Sequence, residues 1–272
     1  MAAPVIALRD DASVRALQQQ LPHAVLLLGE AGLDTEAVAD MITGTVSSDI
    51  RRVTPLANKT IITIEQIRDL TASLRTHATT RRMIIINPAD AMTDQAQNAL
   101  LKSLEEPNAN THFILVGATT GNILPTIQSR CQIVPLHRTS PHQDQAILEP
   151  YNLSPADTAQ ILFLAAGRPK LLRQLATTPR LLAAQQAIAA DAKQLITAAS
   201  PYEALRIAQS YATDRHAAQQ LLSLILAIIR FQARRQPLSP QLRSLMERAI
   251  AAEQSLHANA NLRLALAQLV LY

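Results

Sequence analysis

Apolar positions follow two different rhythms along this chain, and the change comes near residue 138. In the first half, short continuous apolar runs alternate with segments of helical spacing. Val25 to Leu28 is one such run, ended by Gly29; Met83 to Ile86 is a second, bounded by Arg81–Arg82 and by Asn87–Pro88. Phe113 to Val116 and Gln132 to Leu136 are the third and fourth. Between them, Ile64, Ile67, Leu70 and Leu74 recur at helical spacing, with Thr63 placed as an N-cap. Another helix opens near Thr93–Asp94 and closes at Glu106, because Pro107 disfavours helical geometry in the residue before it. Strands that alternate with helices predict βα units on a mainly parallel sheet covered on both faces.

Beyond residue 138 the strand signals stop. Ser154 to Ala165 and Lys170 to Ala176 read as short helices separated by the turn Ala166-Gly167-Arg168-Pro169. From Pro179 onward long alanine- and leucine-rich helices are punctuated at Ser200–Pro201, Gln236–Pro237 and Ser239–Pro240. Asn259-Ala260-Asn261 opens a last helix, Leu262 to Tyr272. The expected plan is an α/β domain over 1–138, a small helical domain over 139–178 and a helical bundle over 179–272.

Composition supports that plan. The 272 residues are 48% hydrophobic but only 3% aromatic, and prolines outnumber glycines 15 to 6, which suits helices and argues against an all-β sandwich or barrel. A single cysteine, Cys131, excludes an intrachain disulfide framework and a multi-cysteine zinc module, and favours a cytoplasmic setting. The N-terminal MAAPVIALRDDASV lacks the basic flank and apolar core of a signal peptide, and the apolar stretch from Leu221 to Ile229 is about half a membrane span. The formal charge of +4 permits contact with nucleic acid without locating it. Only four of the 25 basic residues are lysine; the arginine bias suits phosphate contacts and is equally explained by genome composition.

Candidate chemistry gathers at two strand ends. Gly29 to Ala37, GEAGLDTEA, joins the first strand to a helix in the order that cradles phosphate on backbone N–H groups. An ordinary strand-to-helix turn reads the same way. Against the pattern G-x-x-x-x-G-K-[ST], Asp34 replaces the second glycine, Thr35 the lysine and Glu36 the hydroxyl residue, while Gly29 and Gly32 remain. Two carboxylates thus stand where triphosphate and magnesium would go. The second strand ends in Asn87-Pro88-Ala89-Asp90, where a magnesium-binding site needs acidic residues; capping accounts for Asp90. The seven histidines show no metal-ligand spacing, and Glu105 and Glu106, being adjacent, point to different helix faces at a solvated helix end. Cys131 at a strand start reads as a buried, inert thiol.

The stretch from Ile61 to Arg138 resembles the AAA+ clamp-loader proteins of DNA polymerase III. ITIEQIRDL, RRMIIINPADAMTDQAQNALLKSLEEP and THFILVGATTGNILPTIQSRCQIVPL follow that family's order and spacing, with Asn98 to Pro107 and Ser129-Arg130-Cys131 the most specific pieces. His23–Ala24 fits as well, and NANLRLALAQLVLY resembles the family's last collar helix. Within the family, the gamma/tau type keeps the loop lysine, the acidic strand end and a four-cysteine zinc module; the delta-prime type has a degenerate loop yet keeps Ser-Arg-Cys. The combination here resembles the delta-prime type.

That resemblance implies a pseudo-ATPase with no nucleotide or metal of its own. It would offer Arg130, flanked by Ser129 and Cys131, as an arginine finger to ATP and magnesium on a neighbouring subunit. The implied partners are gamma/tau and delta subunits, the sliding clamp, and primed DNA through the assembled complex, with no membrane. Lys170 lies near the family's nucleotide-sensing basic position but acquires no role beyond packing or charge, and Lys102 faces DNA, a subunit or solvent. The alternatives are an active gamma/tau-type ATPase and a free-standing basic DNA-binding protein.

Overall fold

The computed structural model describes residues 5–44, 49–57, 59–74, 80–198, 200–257 and 260–270. His77, Asn259 and the Tyr272 end of the last expected helix lie outside the described residues. The chain divides into two compact units, 1–177 and 178–272.

The first unit is built on five parallel strands: β1 (Ala24–Leu28), β2 (Asp49–Val53), β3 (Arg82–Ile86), β4 (Thr111–Gly117) and β5 (Gln132–Pro135), in the order β2-β3-β4-β1-β5. The helices between and around them are α1 (Leu8–Gln19), α2 (Thr35–Gly44), α3 (Ile64–Ser73), α4 (Asp94–Glu105) and the single turn α5 (Pro125–Gln128). Strand side chains alternate between the faces. Leu26, Ile84, Ile86, Phe113 and Leu115 pack with Ile67 of α3 and Leu100 of α4. Val25, Leu27, Ile85 and Ile114 pack with Val14 and Leu17 of α1 and Val38 of α2. Each such side chain removed from water contributes about 1.5–3 kcal/mol, so the two cores account for the unbroken apolar runs.

The four strands expected from apolar runs are present, each within two residues of its anticipated ends. β2 was not anticipated: as an edge strand it buries only Val53, and its Asp49, Arg51 and Arg52 break any apolar run. It is fixed by pairing with β3 and by a 2.6 Å ion pair from Asp49 to the buried Arg82. Helix α1 and α6 (Pro141–Leu148) were likewise not anticipated. α6 does carry an N-terminal signal, Ser140 accepting from the Gln143 N–H at 3.3 Å while Gln143 Oε1 accepts from the Ser140 N–H at 3.0 Å.

Helices α6, α7 (Pro155–Ala165) and α8 (Pro169–Thr177) pack on one another after β5. The buried Asp144 ties their turn together, accepting from the Thr139 hydroxyl and from the Gly167 N–H at 2.7 Å. Gly167 has φ +75°, and a Cβ there would lie 2.4 Å from Arg138 Cβ, so no other residue fits.

The second unit is all helix: α9 (Pro179–Thr197), α10 (Pro201–Ser210), α11 (Arg215–Ala233), α12 (Pro240–His257) and α13 (Leu262–Val270). α11 packs against both α9 and α12, which explains why Leu221, Leu222, Leu224, Ile225 and Leu226 are buried on several of its faces rather than along one stripe. Arg215 closes the C-terminal end of α12, donating to Leu256 O at 2.8 Å and Ala260 O at 2.9 Å. Tyr211 donates to Asp191 Oδ2 at 2.6 Å; burial, reinforced by that carboxylate, pushes its phenol well above the usual range. Among the described residues no helix is long and apolar enough to cross a membrane.

Candidate functional site

The loop from Gly29 to Glu36 leaves the carboxyl end of β1 and enters α2. Its shape depends on two left-handed residues, Gly32 (φ +96°) and Asp34 (φ +63°). The second is informative: aspartate tolerates this conformation because its short side chain can bond locally, so the position that a phosphate loop gives to glycine keeps the glycine geometry. Thr35, at the lysine position, is buried, and a Cβ on Gly29 would come within 3.0 Å of its hydroxyl. A short polar residue folded beneath the loop stands where a long cation would reach into a phosphate site.

The loop's carboxylates are neutralised from within the same unit. Asp34 pairs with Arg173 of α8, and both side chains are largely buried. Glu36 lies 3.7 Å from Lys170 Nζ, and the Lys170 N–H donates to Gly32 O at 2.9 Å. Glu30 accepts from Arg138 Nη2 at 2.7 Å, and this pairing raises the guanidinium's already high pKa. Gly32 abuts α8 and the turn before it, since a Cβ there would meet Arg168 Cβ and Leu171 Cβ at 3.2 Å. Burial and the charge of Arg138 lower the pKa of Arg168. Sequence reasoning singled out Lys170 for this neighbourhood but missed Arg138 and Arg173, whose partners lie more than a hundred residues away.

An open cavity of about 450 Å³ adjoins the loop, lined among others by Arg9, Gly29, Glu30, Ala118, His137 and Arg138. His137 Nδ1 lies 2.6 Å from Asp10 Oδ1, while the His137 N–H donates to Asp10 Oδ2 at 2.6 Å. No group of three His, Cys, Asp or Glu side chains suited to a metal occurs among the described residues. At the end of β3, a cis bond joins Asn87 to Pro88. Asp90, expected as a helix cap, instead accepts from the Ala118 N–H at 3.2 Å and so joins the ends of β3 and β4.

Ser129-Arg130-Cys131 lies between α5 and β5, at the amino edge of the sheet. The segment leading into α5 is held by Gln97, a buried glutamine on α4 that sequence reasoning overlooked. Its Nε2 donates to Met92 O at 3.2 Å and Asn122 O at 2.8 Å, and its Oε1 accepts from the Leu124 N–H at 2.7 Å. Gln128 adds bonds to Thr120 O and Ile123 O. Arg130, one-third exposed, donates from Nη1 to Thr126 O at 2.9 Å and pairs through Nη2 with Glu105. Glu105, read from sequence as a solvated helix end, is therefore the partner of Arg130. Ser129 Oγ donates to Thr126 O at 3.1 Å. Burial pushes the Cys131 thiol up to about 11, so at neutral pH it is neither a nucleophile nor a ready metal ligand.

β1 and β5 are parallel neighbours, Val25 opposite Gln132 and Leu28 opposite Pro135. Arg130 precedes β5 whereas the loop follows β1. The two sites therefore occupy opposite edges of the sheet, separated along the strands by roughly 20 Å. The structure brings Asp34, Glu36 and Lys170 together at one edge and isolates Arg130 at the other.

A family model described as DNA polymerase III, delta subunit, matches residues 41–140. The DNA polymerase III subunit delta' of Haemophilus influenzae is 28% identical over 177 residues, covering 55% of this chain and 53% of that protein. The corresponding subunit of Pseudomonas aeruginosa is 32% identical over 138 residues, 41% of this chain and 42% of that one. This chain thus spans about half the length, or less, of these relatives. Replication factor C subunit 3 of Schizosaccharomyces pombe is 35% identical over 38% of this chain and 32% of its own. A solved DNA polymerase III gamma-subunit-related protein of Thermotoga maritima has the same fold, with a TM-score of 0.52, 17% identity and 96% coverage of both chains. The five-stranded parallel sheet and the Ser-Arg-Cys turn thus sit in a chain that is similar, over about half of its length or less, to the delta' subunits of DNA polymerase III.

Proposed function

We propose that this chain is a non-hydrolysing, delta-prime-type subunit of a bacterial clamp loader in the cytoplasm. It presents Arg130 to ATP and magnesium on a neighbouring gamma/tau subunit and helps place the sliding clamp on primed DNA. Residues 179–272 serve as the collar that joins gamma/tau and delta subunits, and residues 139–178 as the small lid domain. It binds no nucleotide or metal itself.

The observation that carries this reading is the separation of the two sheet edges. The roughly 20 Å between them is far more than an arginine side chain spans, so Arg130 does not reach its own loop, which supports its acting on another molecule. Meanwhile the loop's Asp34 and Glu36 already hold Arg173 and Lys170, so the charge that phosphates would supply is present as side chains.

The chemistry asked of Arg130 is electrostatic. As a γ-phosphoryl group leaves, charge spreads over its oxygens, and a guanidinium placed against them stabilises the transition state; such fingers contribute roughly 10³ to 10⁵ in rate. Before a neighbour docks, Glu105 and Thr126 O keep the guanidinium in one orientation. A partly exposed ion pair of that kind contributes about 0–1 kcal/mol. Bidentate, charge-assisted bonds to phosphate are stronger, so exchange of Glu105 for phosphate is favourable.

Isothermal titration of the isolated chain with ATP and magnesium, together with a phosphate-release assay, tests the pseudo-ATPase half. The expected result is neither binding heat nor turnover. Micromolar binding or measurable hydrolysis overturns it.

A further inference from the structure

The chain's positive balance is concentrated in one place. Between Arg215 and Met246 there are five arginines and no acidic residue, against +4 for the whole chain. Four of the five, Arg230, Arg234, Arg235 and Arg243, are exposed where α11 ends and α12 begins. None of the four has a carboxylate partner within ion-pair distance among the described residues. The nearest acids in sequence are Glu247 and Glu253 on α12, and Glu253 accepts from the Ser223 hydroxyl at 3.3 Å.

Helix electrostatics account for only part of this. Arg230 in the last turn of α11 complements that helix's negative end. Arg243 opens α12, where the dipole is already positive, and its presence there is unfavourable unless an anion approaches. Arg235 is preorganised, its guanidinium 4.3 Å from the centroid of the Phe231 ring, which is 45% exposed. Stacking fixes the planar fork while leaving its N–H edges to solvent. The connecting segment, Arg234 to Ser239, holds two prolines counting Pro240 and no further charge beyond the two arginines.

From this we propose that the α11–α12 turn is a docking surface for the phosphodiester backbone of DNA. The ligand chemistry follows from the residues. Four guanidiniums and one half-exposed aromatic ring, interleaved with the exposed amides of Gln236 and Gln241 and with no carboxylate, suit a regularly spaced chain of monoanions. The proposal uses only residues of the second unit and does not depend on the role of Arg130 or of the degenerate loop.

The experiment uses the full chain and a fluorescein-labelled 20-base-pair duplex, with anisotropy followed from 50 to 200 mM NaCl. Four phosphate contacts predict a log K against log[NaCl] slope of roughly −3.6, or about a 100-fold loss of affinity over that range. Replacing Arg230, Arg234, Arg235 and Arg243 together by Ser should flatten the slope by about three and leave the thermal melt in place, while Lys at all four retains it. If the Ser variant fails to fold, Arg235→Glu and Arg243→Glu singly should each flatten the slope by one or more. An unchanged slope in folded variants, or no binding by the wild-type chain at 50 mM NaCl, overturns the proposal. So does tighter binding of polyglutamate of matched charge, which would assign the surface to an acidic protein.

Discussion

The two edges of the α/β sheet treat charge in opposite ways. At the carboxyl edge every acidic side chain of the loop is matched by a basic partner, Glu30 with Arg138, Asp34 with Arg173, Glu36 with Lys170. At the amino edge Arg130 has a carboxylate neighbour too, in a pair about as exposed as Glu30–Arg138 and Glu36–Lys170, while the segment leading into α5 is anchored by the buried Gln97 rather than by ions. One edge ties its loop to α8 through Asp34–Arg173 and Glu36–Lys170; the other holds its arginine with one ion pair and one carbonyl.

The largest effect that tests this contrast lies at the amino edge. In a reconstituted complex Arg130→Ala should lower DNA-stimulated ATP turnover by about 10³-fold, with assembly by size exclusion unchanged; full turnover would remove the trans-acting role. Next in size, Gln97→Leu leaves the Leu124 N–H and two carbonyls without their partner and should cost about 3 kcal/mol in denaturant unfolding. It should also lower turnover more than Glu105→Gln, because it loosens the backbone that aims Arg130. At the carboxyl edge, a double-mutant cycle of Asp34→Asn with Arg173→Gln should give a coupling of about 1–2 kcal/mol. A coupling near zero would mean that the loop holds its shape without its ion pairs.

The smallest effect belongs to the edge strand. The Arg82 guanidinium beside Asp49 holds that carboxyl below its usual range, against a weaker opposing push from desolvation. With the folded value depressed, the stabilisation is fully present above about pH 4 and disappears as pH falls through the folded value. Asp49→Asn should remove that part of the acid sensitivity of unfolding, and an unaltered pH profile would show that the β2–β3 pairing stands on backbone bonds alone.

What sequence revealed and concealed follows the same division between apolar burial and polar pairing. β1, β3 and β4 were readable because strands covered on both faces must be continuously apolar; β5, an edge strand that buries only Val134, showed as a short apolar run, whereas β2 is secured by Asp49–Arg82 and carries no such run. α6 opens on a capping box that was legible in Ser140 and Gln143 but is too short to show periodicity. At the site, the losses at Asp34, Thr35, Glu36 and Asn87 could be counted along a motif. Arg173 and Gln97 could not: one acquires its meaning from a residue 139 positions away, the other chiefly from two backbone groups of a distant turn. A buried glutamine on a helix with five leucine or alanine residues gives no periodic signal of its own.

Cys131 has a further consequence, in the chemistry of labelling rather than of nucleotides. It is the chain's single thiol, and with a pKa near 11 only about one part in ten thousand is thiolate at pH 7. Alkylating reagents and peroxide react with that fraction, so in the closed turn the sulfur is almost silent. Any motion that exposes it lowers the pKa toward that of an ordinary cysteine and raises the reaction rate by up to about two orders of magnitude. The motif thus carries its own clock, one whose rate records how often the segment beneath Arg130 opens to solvent.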